Sequence, residues 1–174
     1  MEVAKELLQE VRVSNRPEVP DSAGEEILYE IRKALGIESI KRIRTAKVYR
    51  FEGISEEEAE FLARKLLAED VFQVYTINKP VIDGAKAVVE VSYRPGVMNP
   101  EAASLVKAAR DLGVFSLLAA DSSREFGFYG EEVVPEEIEV VVSRLLVNPT
   151  VEQIMKGKPD TLLIHGEPGK TSII

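Results

Sequence analysis

The chain has 174 residues, 22 Lys plus Arg against 30 Asp plus Glu, no Cys and one His, for a net charge of −8. Such acidity argues against a nucleic-acid binder, which needs a basic face for the phosphate backbone. Without Cys there are no disulfides, thiolate zinc sites or cysteine nucleophiles, and one His cannot make a histidine-based metal cluster. The length allows one average domain or two small ones, and 45% hydrophobic residues suffice for a packed core. No apolar run approaches the roughly 20 residues of a membrane span. Met1 to Glu6 lacks a basic region followed by an apolar stretch, so no signal peptide is read and a cytoplasmic protein is expected.

In chain order, Val11 and Val13 alternate with Arg12 and Ser14, the period of a half-buried strand. Asp21-Ser22 offers helix caps, and Ile27, Ile31 and Leu35 recur every four residues until Gly36 supplies a stop. Ile40 to Phe51 is rich in β-branched and aromatic residues, and is expected to form two short strands turning near Thr45-Ala46. Ser55-Glu56-Glu57-Glu58 is a capping box, which explains its acidic run better than a metal site does. Ala59, Leu62, Ala63, Leu66 and Leu67 are the buried side of the helix it opens, and Val71 to Ile77 is a closing strand.

The pattern then recurs. Val11 to Val19 reads against Val89 to Val97 with six identities in nine positions, and Leu35-Gly36-Ile37 matches Leu112-Gly113-Val114. Gly53 matches Gly130, Leu66-Leu67 matches Leu145-Leu146, and Val71 to Ile77 lies over Thr150 to Lys156. In the second copy Asn99 caps a helix with Pro100 in its first turn, where the missing N–H costs nothing. Glu136 to Val147 carries Val140, Val141 and Val142, which favour a strand, but Pro135 and the alignment to the first copy favour a helix.

The expected order is therefore β-α-β-β-α-β twice. That is an α+β protein of two tandem ferredoxin-like units with antiparallel sheets, packed as a pseudo-dimer that covers their helix-free faces. The expected boundaries are residues 1–77 for the first unit, 78–84 for a linker, 85–156 for the second unit and 157–174 for a tail without a counterpart in the repeat.

The tail's Gly166-Glu167-Pro168-Gly169-Lys170-Thr171 looks like a phosphate-binding loop, but Ile164 stands where the motif needs its first Gly. His165, the lone imidazole, reads as solvated. Arg16-Pro17 and Arg94-Pro95 follow the first strand of each copy, either as strand-ending turns or as fixed cationic contacts for a partner or an anion. Lys47-Val48-Tyr49-Arg50 and Arg124-Glu125-Phe126 occupy matching places, where a cation beside an aromatic suits an interface or an ordinary polar sheet face. No group of residues specifies a reaction, and no catalytic residue is assigned.

One unit resembles the PurS family, the small subunit of phosphoribosylformylglycinamidine synthase. The resemblance rests on Val89 to Pro100, which contains Arg94-Pro95-Gly96-Val97 and Asn99-Pro100. It rests also on Ile43-Arg44-Thr45-Ala46-Lys47-Val48-Tyr49, and on the endings Leu66 to Phe72 and Leu145 to Val151. The tandem form is similar to the paired PurS-like region that opens some long PurL proteins. This resemblance covers about residues 7 to 156. It implies a non-catalytic assembly subunit that joins the PurL synthetase to the PurQ glutaminase and shelters ammonia between them. The complex would use ATP, Mg and glutamine, with no cofactor on this chain and with self-association as a further expectation. Arg16, Pro17, Arg44, Lys47, Tyr49, Arg94, Pro95, Gly96 and Arg124 are then the candidate partner contacts. The other reading is an ACT-like tandem module that binds a small effector such as an amino acid near Gly96.

Overall fold

The computed structural model describes residues 8–159, 161 and 162. The chain runs β1 (Leu8–Asn15), α1 (Ser22–Glu30), β2 (Arg42–Glu52), α2 (Glu56–Leu62) and β3 (Gln73–Ile77). It continues with β4 (Ala87–Tyr93), α3 (Pro100–Asp111), β5 (Ala119–Tyr129), α4 (Pro135–Val141) and β6 (Glu152–Ile154). The six strands form one antiparallel sheet in the order β3-β1-β2-β5-β4-β6.

The helix starts follow the capping chemistry of the sequence. The Asp21 carboxylate accepts the Gly24 N–H at 2.9 Å, and Ser55 and Glu58 close a reciprocal capping box. Asn99 accepts the Glu101 N–H at 2.9 Å ahead of Pro100. Residues 135–146 are helical despite their three valines. Packing decides there, because Val141 and Val142 are buried against the sheet.

Two expectations need correction. Ile40 to Phe51 does not turn at Thr45-Ala46. Arg42–Glu52 is one strand of 11 residues, so each half contributes three strands where four were expected. No Gly, Pro, Asn or Asp interrupts that stretch, and without one the extended backbone simply continues. The halves also do not cover each other's helix-free faces. They join edge to edge, with all of β2 paired to all of β5 from Arg42 opposite Tyr129 to Glu52 opposite Ala119.

Each long strand serves two neighbourhoods. Residues 47–52 of β2 pair with β1, while residues 124–128 of β5 pair with β4. Every four-stranded portion of ferredoxin-like kind is thus completed by a strand segment from the other half. The cores interleave in the same way. One joins Val11, Phe51, Ala59 and Leu62 to Leu105, Ala109 and Leu117. The other joins Ile31, Ile40 and Ile43 to Val91, Phe128, Val141 and Leu146. So α2 shares a core with α3, and α1 shares one with α4, all on one face of the sheet. Full burial of a side chain such as Phe51 or Phe128 contributes about 1.5–3 kcal/mol.

The opposite face is crossed by two straps. After β3, Asn78 has φ 58 and exchanges backbone and side-chain hydrogen bonds with Glu10 at 2.7 and 2.8 Å. Ile82 then lies buried on Gly127 of β5, and the Tyr129 hydroxyl donates to the Asp83 carbonyl at 2.7 Å. After β6, Gly157 has φ 86, and Thr161 and Leu162 donate to the Glu52 carboxylate of β2 at 2.9 and 2.6 Å. Each strap leaves an outer strand and ends on the far long strand. Of the expected tail, residues 157–159, 161 and 162 are described. The Gly166–Thr171 motif and His165 lie outside the described residues.

Candidate functional site

The face beneath the straps carries charge. Antiparallel partners share a face, so the register puts Glu10 beside Arg50 and Glu90 beside Glu125. Arg50, with 3% of its side chain exposed, donates to Glu10 at 2.7 Å and to both Glu90 oxygens at 2.6 and 3.0 Å. Arg12 donates to Glu125 at 3.0 Å and to Glu10 at 3.2 Å. The Ser123 hydroxyl donates to Glu90 in a short contact. Two guanidinium groups thus tie three carboxylates across four strands.

Burial would raise the Glu10 carboxyl, but hydrogen bonds and charge from Arg50 and Arg12 hold it below the usual carboxylate range. Burial wins at Glu125, which is pushed up against the pull of Arg12, with Glu90 adding to the rise. These charges are committed to one another, and the layer fastens the sheet.

On the helix face, Lys47 and Arg124 stand directly opposite each other at the centre of the β2–β5 seam. Lys47 pairs with Glu101 of α3 at 2.8 Å, and Arg124 pairs with Glu152 of β6 at 2.9 Å. Each cation also lies near a ring, Lys47 at 5.4 Å from Tyr49 and Arg124 at 5.5 Å from Phe126. Burial, then the Glu101 charge, pushes the Tyr49 phenol up to about 12.

The remaining sequence candidates sit at two ends of the molecule. Arg16 donates to the Asp70 carbonyl at 2.7 Å, and Arg94 donates to the Pro149 carbonyl at 2.8 Å. Each Arg thus ties its Pro-containing turn to the loop before an outer strand. Arg44 donates to Ser14 Oγ at 3.2 Å and to the Asn15 carbonyl at 2.7 Å, and with Arg16 and Pro17 it lines a cavity of about 200 Å³. Arg94, Pro95 and Gly96 line a larger one of about 550 Å³. Lys47, Tyr49 and Arg124 are therefore brought together, Arg16, Pro17 and Arg44 form a second group, and Arg94, Pro95 and Gly96 a third.

Sequence reasoning missed Glu10, Glu90, Ser123 and Glu125, because they meet only through the register. The alternation of Glu10 and Arg12 on one strand face was the local signal. Among the described residues, no group of three or more His, Cys, Asp or Glu is arranged to hold a metal ion, and no helix is long and apolar enough to cross a membrane.

The family model described as PurS, phosphoribosylformylglycinamidine (FGAM) synthase, matches residues 8–80. Residues 8–80 are therefore similar to the PurS family. The match takes in β1 through β3 and the start of the first strap. No curated protein matches the chain significantly.

Proposed function

We propose that the chain is a tandem pair of PurS-like units that acts as the non-catalytic assembly subunit of FGAM synthase. It joins the PurL synthetase to the PurQ glutaminase and shelters ammonia passing between them. ATP, Mg and glutamine are used by the complex, outside this chain. The observation that carries the reading is the PurS match over residues 8–80, followed by a second β-α-β-α-β order in the other half.

The register supports the tandem reading. Matching positions Lys47 and Arg124 are also direct partners, as an axis relating two like halves requires. Fusing the halves removes an association step, since the second unit is held at high effective concentration. Exposed Phe115 and Leu118, 73% and 63% accessible, offer apolar surface for a partner. Arg16, Pro17 and Arg44 at one end of the molecule, and Arg94, Pro95 and Gly96 at the other, are proposed as further partner contacts, with Lys47, Tyr49 and Arg124 at the seam.

The test mixes purified PurL and PurQ from the same source with and without this chain. Glutamine-dependent amidine formation is expected to appear only on addition. Full activity in its absence rejects the assignment.

A further inference from the structure

The two halves differ where their first strands end. In the first half, the stretch of β2 not covered by β1 is closed by Asp21 and Arg44. Asp21 accepts the Thr45 N–H at 2.6 Å, and the Arg44 guanidinium reaches Ser14 Oγ at 3.2 Å and the Asn15 carbonyl at 2.7 Å. In the second half, Ser92 matches Ser14, Tyr93 matches Asn15, Asn99 matches Asp21 and Asp121 matches Arg44. An anion thus stands where the first half has its cation.

The space left behind is large. The cavity of about 550 Å³ is lined by Ser92, Tyr93, Asn99 and Asp121, with the second strap as its outer wall. Ser92 is buried, and among the described residues its hydroxyl reaches only Met155 Sδ at 3.5 Å. Asp121 Oδ1 accepts Asn99 Nδ2 at 2.8 Å and the Ser122 N–H at 2.9 Å, while Oδ2 accepts no hydrogen bond among the described residues. Two cations lie close, and both are engaged elsewhere. Arg50, opposite Asp121 in the register, is held by Glu10 and Glu90, and Arg94 is turned to the Pro149 carbonyl.

We propose that this cavity is a binding site for a guanidinium group carried on an aliphatic stem. Asp121 supplies the counter-charge, and the Ser92 hydroxyl and Tyr93 carbonyl are the acceptors, as Ser14 and Asn15 are for Arg44. Apolar walls from Val97, Ala102 and Met155 suit the stem, because long cationic side chains bury their methylenes while the head finds polar partners. The group can belong to a free small molecule or to an arginine side chain of another protein. The site rests on the likeness of Ser92 and Asp121 to Ser14 and Arg44 and not on the assembly role, so one reading can fail while the other stands.

The test is NMR titration of the full chain with agmatine, with an arginine-containing peptide and with urea as the uncharged control. Agmatine at millimolar concentration is expected to shift the Ser92, Asn99 and Asp121 amides, while urea leaves them unmoved. Stronger response to the peptide assigns the site to a protein arginine, and stronger response to agmatine assigns it to a free ligand. Asp121→Asn is expected to weaken binding at least tenfold. Asp121→Arg should fill the cavity as Arg44 does, abolish binding and keep the chain as stable as the parent. Equal shifts with urea, undiminished binding by Asp121→Asn, or inorganic phosphate binding in place of the cations would each overturn the proposal.

Discussion

Lys47 and Arg124 face each other across the β2–β5 seam, two cations on one side of one sheet. Like charges directly opposite destabilise a strand pair. Here each is neutralised by a carboxylate from outside the pair, Glu101 for Lys47 and Glu152 for Arg124. Both side chains of the Lys47–Glu101 pair are 37% exposed, so solvent screens it. Glu101→Gln is therefore expected to cost about 0.5–1 kcal/mol. Urea unfolding reads this, and the loss should shrink in high salt as the exposed cations are screened.

Tyr49 reports on the same place. Its phenol is pushed up to about 12, first by burial and then by Glu101. Glu101→Gln removes only the second cause, so the value should fall part of the way towards an ordinary tyrosine. Spectrophotometric titration of the parent and the variant checks this, and an unchanged titration would rule out electrostatic coupling between the two residues.

Arg50 anchors the charge layer on the strap-covered face, bound to Glu10 and Glu90 with 3% of its side chain exposed. Arg50→Met leaves two shielded carboxylates without their main partner. The expected cost is about 3–5 kcal/mol, read as a lower urea midpoint with an unchanged slope. Adding Glu10→Gln and Glu90→Gln should recover part of it.

The carboxylates also set an acid limit. Burial raises Glu10 and Glu101, but the basic neighbours of each hold the net value below the usual range. A depressed value in the folded state means stability that is present above the usual carboxylate range and lost as pH falls through the lowered values. Glu125 is raised by burial, so its contribution is present below that range and lost as pH rises through the raised value. Glu10→Gln should thus cost more than Glu125→Gln at neutral pH, and the two should converge in acid. Urea midpoints across pH test the ranking.

Gly127 gives the first strap its seat. A Cβ there would lie 2.6 Å from Ile82 Cγ2 and 3.3 Å from the Ala85 methyl. Gly127→Ala is expected to cost about 1–3 kcal/mol through overpacking. Ile82→Ala in the same chain should relieve the clash, so a double variant no less damaged than the sum of the singles would contradict this packing.

Much of the local structure is legible in the sequence. Asp21, Ser55 and Asn99 each hold a backbone N–H at a helix start, as their residue types and positions dictate. The long strand is the instructive error. Thr45-Ala46 invites a turn only if a turn is already wanted, whereas the lack of any turn former from Arg42 to Glu52 is the stronger signal. The candidate site is harder to read because its charges meet across long sequence separations. Arg12 and Glu125 are partners only once β1, β2, β5 and β4 are in register, and one-residue slips would turn those side chains to the other face. The cavity at Asp121 is visible only when the two halves are compared position by position.

The interleaved cores bear on how the chain is made. When β3 leaves the ribosome, Ile31 and Ile43 are still without Phe128, Val141 and Leu146, and Leu62 is without Leu105 and Leu117. The first half therefore emerges with its apolar surfaces uncovered, and folding waits for the second half to be translated. Such delayed, non-local closure is slow and leaves sticky surface exposed meanwhile. Nascent chains of this protein should accordingly be chaperone clients until synthesis passes α4.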